Sequence, residues 1–285
     1  GCDNFCAYCV VPFLRGPEMS RKPEDILEEV KRLTDHGVKE VILLGQNVNS
    51  YGKKQEFACD FVSLIEKINE VDGIERIRFT TSHPKDLSED LISCFARIPK
   101  LCEHIHLPVQ SGSNRILKLM NRCYSKEDYL EKVMKLRNAC PSISITSDII
   151  VGFPGESEED YQETIDMMEK IRFDSIFSFK YSERKGTAAQ KLPGKVSEAE
   201  KRRRLKELQT LQNKHTQEIN SKLEGTIQEV LVEGRSKNSE HDVMGRTRSW
   251  KIVNFKGESK LIGKLVDVNI ARGYLHSLRG KLEER

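Results

Sequence analysis

Apolar residues follow two different periods along the first two thirds of the chain. Residues 41–44 form a continuous apolar run, as expected for a strand that is buried on both faces. Residues 61–71 and 158–171 instead repeat apolar side chains at helical spacing. The two patterns alternate from Pro23 to about Tyr181, which predicts a parallel sheet built from β/α units.

The boundaries of these elements follow from local signals. Pro23 suits the first turn of a helix and is followed by the acidic Glu24 and Asp25, whereas Gly37 suits a helix end. The predicted strands lie at residues 41–44, 77–82, 104–107, 144–151 and 175–181. The predicted helices lie at residues 23–36, 61–71, 87–97, 115–120, 126–140 and 158–171.

The pattern changes after Gly194. A long helix is predicted over residues 197–223, where Ser197 and Glu200 have the spacing of a capping box. From Thr226 onward, short apolar alternations separated by glycines predict a small β-barrel. Its strands are expected from 227 and at 243–246, 251–255, 265–270 and 274–278. The fold class is therefore α/β, with a partial, TIM-like barrel over residues 1–221 and a small all-β barrel over residues 222–285.

Composition argues against a membrane-spanning protein and favours a polyanionic partner. Charged residues make up 32% of the 285 residues, and no run of 18 apolar residues occurs. The net charge is −4 over residues 1–194 and +7 over residues 195–285, within a formal total of +3. A basic C-terminal third favours nucleic acid as the partner. The cysteines beyond residue 9 are scattered, so we expect no disulfides and a reducing, cytoplasmic location.

The first nine residues, GCDNFCAYC, carry the strongest chemical signal. Cys2, Cys6 and Cys9 have C-x3-C-x2-C spacing, with the aromatic Tyr8 between the second and third thiols. Three thiolates can hold a [4Fe–4S] cluster and leave one iron open to a cofactor or substrate. A structural zinc site would normally close all four positions. The alternative is a zinc site completed by a distant ligand.

Polar and glycine-rich segments follow four of the predicted strands, at residues 45–47, 80–84, 110–113 and 152–156. Each segment alone would be an ordinary turn. In a β/α barrel, however, all four lie at the carboxyl ends of the strands, where active sites are built. The cysteine loop should follow a first strand, and no residues precede it. We therefore expect the chain to be a piece of a longer protein that lacks the first barrel strand.

Three further groups of residues allow two interpretations each. Cys102, His104 and His106 share one strand face and form either a metal site or a polar barrel interior. Asp148 interrupts an apolar strand, where it orients a ligand or caps a backbone group. The basic run at residues 201–204 is either a solvated helix face or a phosphate contact. Arg15 and Arg21 are expected either to neutralise cofactor charge or to form surface salt bridges.

Taken together, these segments resemble a known family. The C-x3-C-x-aromatic-C pattern resembles the radical S-adenosylmethionine (SAM) superfamily. With LGQNVNSYG at 44–52, TSHP at 81–84, HLPVQSGS at 106–113 and VGFPGE at 151–156, the chain resembles the methylthiotransferases, closest to their tRNA-modifying branch. The C-terminal barrel resembles a TRAM domain, an RNA-binding module. The resemblance implies a partial (β/α)6 radical-SAM barrel, its first strand missing, followed by a TRAM barrel.

The resemblance also implies an activity. A [4Fe–4S] cluster on Cys2, Cys6 and Cys9 would bind SAM, accept an electron from a low-potential donor and generate a 5′-deoxyadenosyl radical. A methylthio group would then be added to C2 of N6-isopentenyladenosine beside the tRNA anticodon. Sulfur would come from a second, auxiliary [4Fe–4S] cluster on an N-terminal domain that this sequence lacks. We therefore expect a monomer that cleaves SAM and binds tRNA without thiomethylating it.

Positions of individual residues are carried over from the family. The residues expected to contact the cofactor are Tyr8, Gln46, Ser82, Gln110, Asp148, Val151 and Gly152. The residues expected to contact RNA are Asn47, Tyr51, Arg246, Arg248, Lys251 and Arg272; the last four lie among aromatic residues, as in many nucleic-acid surfaces. The superfamily pattern G-x-I-x-G-x-x-E is imperfect, because Asp148 replaces its first glycine and Glu156 falls one residue late.

Three alternatives remain open on the sequence alone. The chain could belong to a methylthiotransferase that acts on a ribosomal-protein aspartate, although the GQN segment argues against this. It could belong to one that acts on threonylcarbamoyl-adenosine in tRNA, which has the same architecture. Outside the enzymes, it could be an RNA-binding protein that contains a structural zinc.

Overall fold

The computed structural model describes residues 1–55, 57–237 and 239–283. The N-terminal part contains five parallel strands, in agreement with the sequence prediction. They are β1 (Glu40–Leu43), β2 (Arg76–Phe79), β3 (His104–His106), β4 (Ser144–Val151) and β5 (Ser175–Lys180). β1 pairs with β2, and β3, β4 and β5 form a second sheet. A bridge between Ile77 and Leu101 joins the two sheets into one curved wall.

The short α1 (Val11–Arg15) follows the cysteine loop and has no buried residue. The longer helices pack against the wall; they are α2 (Pro23–Asp35), α3 (Phe61–Asn69), α4 (Glu89–Arg97), α5 (Asn114–Leu119), α6 (Lys126–Ala139), α7 (Glu158–Ile171) and α8 (Glu198–Ser221). Side chains cap most of their N-termini; Ser125 and Ser157 each form a complete capping box. All the predicted helices are present, and the short α1 is an addition that the sequence pattern did not predict.

The two faces of β5 show which side of the wall is open. Ser178 accepts a hydrogen bond from Gln209 of α8 at 3.1 Å, and Ile176 packs into the apolar core, so these residues face outward. Phe177 and Phe179 alternate with them and face inward, where they remain 60% and 53% exposed. The wall is therefore an open half-barrel with an accessible inner cavity.

The C-terminal part is a closed five-stranded barrel, as predicted. Its strands are β6 (Ile227–Arg235), β7 (Asp242–Thr247), β8 (Ile252–Lys256), β9 (Leu265–Gly273) and β10 (Leu278–Leu282). The prediction of a last strand at 274–278 was wrong. The N–H of Tyr274 donates to the carbonyl of Ser277 at 2.8 Å, so these residues form a turn. β10 begins only at Leu278, opposite Val253 of β8.

This barrel docks against the amino ends of the half-barrel strands through two buried arginines of β2. Arg76 donates to the carbonyls of Glu229 at 2.8 Å and Arg246 at 2.9 Å. Arg78 donates to the carbonyls of Thr247 at 2.7 Å and Arg248 at 2.6 Å. Buried guanidinium groups need compensation, and the carboxylates of Glu229 and Glu40 supply it. The two parts of the chain are therefore joined by a polar interface in which both buried arginines are paired.

The single tryptophan of the chain closes the lower end of the inner cavity. The ring of Trp250 stacks on His104 of β3 with 5.6 Å between centroids. The guanidinium groups of Arg78 and Arg246 each lie 4.7 Å from the Trp250 ring centroid. Cation–π and stacking contacts of this kind favour one fixed ring position. Trp250 therefore forms the floor of the half-barrel.

We predict that Trp250→Ala lowers the free energy of unfolding by about 2 kcal/mol, because it removes a half-buried aromatic ring from the interface. Urea denaturation followed by circular dichroism measures this change. Tyr274→Ala is the matched control, since Tyr274 is an exposed aromatic residue of the same barrel. If Trp250→Ala lowers the free energy of unfolding no more than Tyr274→Ala does, Trp250 does not stabilise the interface.

A second prediction concerns pH. Burial, reinforced by Arg78 and His106, lowers the pKa of His104 from 6.5 to about 3. Between these values the unfolded chain binds a proton that the folded chain does not, so stability is lost as pH falls. From pH 7 to pH 5 this histidine should remove about 2 kcal/mol of stability. Between pH 7 and pH 5, the free energy of unfolding of His104→Asn should therefore fall by about 2 kcal/mol less than that of the wild type. Equal pH dependence in urea denaturation would show that His104 does not titrate in this way.

Candidate active site

The cysteine loop lies at the carboxyl ends of the strands, opposite the Trp250 floor. The N–H of Ala7 donates to the carbonyl of Met120 at 2.9 Å, and the N–H of Ala189 donates to the carbonyl of Ala7 at 2.8 Å. Tyr8 and Ile150, near the end of β4, pack with Ala7 in the same apolar cluster. Burial raises the pKa of Tyr8 well above 10, so its phenol stays neutral. The loop is therefore held from both sides over the rim of the half-barrel.

Each of the three thiols accepts a hydrogen bond. Cys2 Sγ accepts one from the Asn4 amide at 3.5 Å, Cys9 Sγ from the N–H of Val11 at 3.4 Å, and Cys6 Sγ from Arg122 at 3.4 Å. Burial raises the pKa of the Cys9 thiol in spite of the Val11 contact. Hydrogen bonds to sulfur are a means by which proteins tune iron–sulfur clusters. All three thiols are free and half-buried, so the donor set fits a [4Fe–4S] cluster.

The structure gives no support to a zinc site. Across residues 1–55, 57–237 and 239–283, no three side chains of His, Cys, Asp or Glu are placed to hold one metal ion. A [4Fe–4S] cluster makes a different demand, because its thiolates bind separate irons and need not converge on one point. His104 and His106 share a face as predicted, and the hydroxyl of Thr146 lies 3.4 Å and 3.0 Å from their rings. They belong to the polar interior of the half-barrel.

Two loops next to the cysteine loop present buried polar atoms that lack partners in the described structure. These atoms are Asn47 Oδ1, Ser82 Oγ and His83 Nε2. The two loops are tied together, because Asn49 donates to the carbonyl of His83 at 3.1 Å and accepts from its N–H at 3.0 Å. Buried polar groups are nearly always satisfied, so a water molecule or a ligand is needed to complete these atoms.

His83 is held as a neutral hydrogen-bond donor. Burial, with a further contribution from Arg122, lowers the pKa of His83 to about 3. Its Nδ1 accepts from the N–H of Lys85 at 3.2 Å, which places the remaining proton on Nε2. The unpartnered Nε2–H can therefore donate to a carboxylate or a hydroxyl.

Asn47 and Tyr51, both expected to contact RNA, are engaged within the protein. The amide of Asn47 donates to Asp86 at 2.7 Å. Burial opposes ionisation of Asp86, but Lys53 and Asn47 outweigh it and lower the pKa of that carboxyl. The hydroxyl of Tyr51 donates to the carbonyl of Arg21 at 2.7 Å, and burial raises the pKa of Tyr51 to about 12. Contact of either side chain with RNA stays a prediction.

The remaining predicted cofactor residues lie along the rim and the upper cavity. Gln46 follows β1 and is half-buried. Gln110 has a left-handed backbone (φ +72°) and bridges to β4, since its N–H donates to the carbonyl of Asp148 at 2.8 Å. The Asp148 carboxylate lies 3.4 Å from Nε2 of His106 on the inner face. The Asp148 carboxylate thus lies on the inner face, whereas Gln110 is buried and its contact with a cofactor stays a prediction.

Val151 and Gly152 are occupied by contacts within the protein. The carbonyl of Val151 accepts from the N–H of Tyr181 at 2.8 Å, and the N–H of Gly152 donates to Glu156 at 2.6 Å. A Cβ on Gly152 would lie 2.3 Å from Lys201 Cγ, and its φ is +70°. Only glycine fits there. Glu156 also pairs with Arg204 at 2.7 Å, which gives this carboxylate a structural role.

Two of the four predicted RNA-contacting cations form ion pairs across the interface between the two barrels. Arg248 pairs with Glu103 at 2.8 Å and Lys251 pairs with Asp174 at 2.8 Å, whereas Arg246 pairs with Glu233 within the closed barrel. Arg272 differs, because it is exposed and its guanidinium lies 5.4 Å from the centroid of the Tyr274 ring. Arg272 is therefore the predicted RNA contact that the fold leaves most accessible.

The structure also locates other cations whose roles could not be decided from the sequence. In the basic run of α8, Lys201, Arg203 and Arg204 all form ion pairs with glutamates, which favours the structural interpretation of these three residues. Arg21 pairs with Glu29 at 2.6 Å at the surface, and Arg15 is exposed in α1. Surface ion pairs of this kind contribute little to stability.

Comparison with known proteins identifies the family. A profile of the Radical SAM superfamily matches residues 1–168, and a TRAM domain profile matches residues 221–282. This chain belongs to the radical SAM superfamily. Membership of this superfamily implies a [4Fe–4S] cluster and a SAM cofactor.

The resemblance to the methylthiotransferases is confirmed by curated relatives. The chain is 62% identical over 282 residues to a tRNA-2-methylthio-N(6)-dimethylallyladenosine synthase of Syntrophus aciditrophicus. It is 54% identical over 284 residues to a protein of the same name from Thermoanaerobacter sp.. These matches cover 99% and 100% of this radical SAM chain but only 61% and 60% of the relatives. The chain thus spans about three fifths of their length.

Solved structures support the fold. Coproporphyrinogen III oxidase (HemN) of Escherichia coli aligns with a TM-score of 0.56 at 18% identity, over 75% of this chain and 50% of that one. The radical SAM methyltransferase TsrM of Kitasatospora setae aligns with a TM-score of 0.55 at 17% identity, over 67% of this chain and 37% of that one. Within the described residues, every helix is too short or too polar to cross a bilayer.

The structure adds residues that the sequence analysis did not select. Asn121 donates to the carbonyl of Phe5 at 3.0 Å and so holds the cysteine loop. Arg122 reaches Cys6, and His83 carries an unpartnered nitrogen beside Ser82. His83 lies within the polar segment 80–84 that follows a predicted strand, whereas Asn121 and Arg122 follow a helix and belong to no recognisable motif. Asn121 and Arg122 each lie 116 positions along the chain from the residue they contact, so only the fold brings these pairs together.

We predict that Asn121→Gly accelerates iron loss from the reconstituted protein about threefold, because its exposed amide contacts with the carbonyls of Asn4 and Phe5 in the cysteine loop are removed. Glycine preserves the positive φ of this residue. The measurement is the rate of iron transfer to a chelator under anaerobic conditions. Cys123→Gly is the control, since it removes an exposed side chain from the same turn, also at positive φ. Equal rates in the two variants would refute the holding role of Asn121.

Proposed function

We propose that this chain provides the SAM-cleaving and RNA-binding parts of a methylthiotransferase that acts on C2 of N6-dimethylallyladenosine in tRNA. The observation that carries the proposal is the loop of three hydrogen-bonded thiols over the open cavity, next to three unpartnered polar atoms. The similarity to enzymes named for this reaction, at 62% and 54% identity, supports the choice of substrate.

The inner cavity has the composition that such a substrate requires. Phe177 and Phe179 offer an apolar wall, and exposed Ile42 belongs to β1 across the opening. His106 and Asp148 add hydrogen-bonding groups beside Phe177, whose ring lies 6.0 Å from that of His106. An adenine with a dimethylallyl substituent presents both an apolar group and polar ring edges. The cavity is therefore suited to hold the base with its C2 directed towards the cysteine loop.

Radical chemistry matches the demand of the reaction. An aromatic C–H bond is not acidic, so a general base alone would not activate C2 at a useful rate. When bound at the open iron, SAM supplies a 5′-deoxyadenosyl radical that can abstract this hydrogen. The side chains of the chain contribute by binding and orientation: Ser82 and His83 by hydrogen bonds to the cofactor, and the Phe177 wall by excluding water.

The closed barrel is proposed to bind the tRNA. Because Arg248 and Lys251 face the half-barrel, RNA contact falls to the exposed side, where Arg272 and Tyr274 lie together. A cation beside an exposed aromatic ring suits contact with phosphate and base. The proposed tRNA contact on the closed barrel and the cluster-binding loop of the half-barrel thus belong to different parts of one chain.

Sulfur insertion needs more than the described residues supply. We propose that the auxiliary cluster belongs to the part of the relatives that this chain does not cover. The low-potential electron donor, the monomeric state and the cytoplasmic location remain predictions. The whole enzyme would therefore combine radical generation on this chain with sulfur donation from outside it.

The test is anaerobic reconstitution with iron and sulfide, followed by addition of SAM, a reductant and isopentenylated tRNA. We expect a brown protein that absorbs near 400 nm and releases 5′-deoxyadenosine, with no methylthiolated tRNA from these 285 residues. Cys6→Ala should abolish 5′-deoxyadenosine formation. Cys123→Ala, which alters an exposed cysteine outside the loop, should leave it intact.

Other outcomes would decide against the proposal. A colourless, zinc-loaded protein would favour the RNA-binding alternative. Tight binding of a ribosomal protein, or of threonylcarbamoyl-adenosine tRNA in preference to isopentenylated tRNA, would assign the chain to a sister activity. Methylthiolated product from these residues alone would show that no auxiliary cluster is needed.

A further inference from the structure

Arg122 is a buried cation that touches a cluster ligand. The residue is only 4% exposed. All three nitrogens of its guanidinium group donate hydrogen bonds. One Nη donates to Cys6 Sγ at 3.4 Å, the other donates to the carbonyl of Pro108 at 2.7 Å, and Nε donates to the hydroxyl of Tyr124 at 2.8 Å. The guanidinium carbon also lies 5.2 Å from the Tyr124 ring centroid.

Arg122 differs from the other buried arginines in one respect. Among the described residues, Arg76, Arg78 and Arg204 are also buried, and each pairs with a carboxylate: Glu229, Glu40 and Glu156 respectively. No carboxylate of the described chain forms an ion pair with Arg122. A buried charge without a counter-charge is costly, so folds rarely retain one without a partner. The group that compensates Arg122 must therefore be something that binds beside Cys6.

We propose that Arg122 is the counter-charge of the iron–sulfur cluster and that it favours the reduced cluster. This inference rests on the proposed function, since it requires a cluster on Cys2, Cys6 and Cys9. A [4Fe–4S] cluster with three thiolates is an anion, and reduction adds one more negative charge. A fixed cation and an N–H donor at one sulfur stabilise that added charge, which raises the reduction potential.

The position of the guanidinium is fixed by its surroundings. Asn121 and Cys123 on either side of it both have positive φ, so the turn directs Arg122 inward. The hydroxyl of Tyr124 donates to the carbonyl of Val109 at 2.9 Å and thereby fixes one face of the guanidinium. Little reorganisation is then needed when the cluster changes charge, as in other preorganised electrostatic sites. Arg122 is thus a positioning residue, because it acts through Cys6 and the cluster.

The experiment compares reduction potentials of the reconstituted protein in the absence of SAM, by redox titration monitored by electron paramagnetic resonance. In Arg122→Gln we expect the ratio of reduced to oxidised cluster at a fixed applied potential to be at least tenfold lower. This corresponds to a reduction potential that is about 59 mV more negative. Arg122→Lys, which keeps the charge, should recover most of the shift. Lys118→Gln is the control, since it removes one exposed charge from α5 upstream of Arg122.

The outcomes separate this inference from the proposed function. If the wild type assembles no iron–sulfur cluster, the proposed function fails and the inference fails with it. If the wild type holds a cluster and Arg122→Gln shifts no more than Lys118→Gln, only the role of Arg122 is wrong. If Arg122→Gln loses its cluster, Arg122→Lys decides. Iron content and a reduction potential like those of the wild type in Arg122→Lys support charge compensation, whereas equal iron loss in both variants overturns the proposal.

Discussion

The insertion of Arg76 and Arg78 beneath the second barrel is the interaction on which the rest of the structure depends. Both side chains belong to β2, both are buried, and both donate to backbone carbonyls of the closed barrel. A guanidinium can lose its water shell only where every donor and the charge itself are compensated. Because Glu40 and Glu229 meet this condition, the two parts have one docking position.

That docking position separates two functions along the axis of the half-barrel. The carboxyl ends of the parallel strands carry the cysteine loop and the unpartnered polar atoms, whereas the amino ends are closed by Trp250. An open cavity between them retains exposed Phe177 and Phe179. Under the proposed function, a substrate base would enter from the open side, and RNA on the closed barrel would reach it along the outside of the half-barrel.

The fold was largely accessible from the sequence because periodicity and caps are local. Strand β4 and helix α7 match the predicted residues at both ends, since each is set by the local alternation of strand and helix patterns. The last strand was misplaced because the turn that closes on Ser277 depends on a hydrogen bond that spacing does not reveal. The cysteine loop was equally readable, because its three thiols lie within nine residues.

The roles of the cations could not be read in the same way, because a positive charge in a sequence does not show its partner. Arg248 and Lys251 were predicted as RNA contacts, and the fold places Glu103 and Asp174 against them. Arg122 gave no signal at all, yet it is the buried arginine for which the described chain offers no carboxylate. A paired cation explains the fold, and an unpaired buried cation points to the charge of a bound group. Charge balance, applied residue by residue, is therefore what distinguishes structural from functional arginines in this chain.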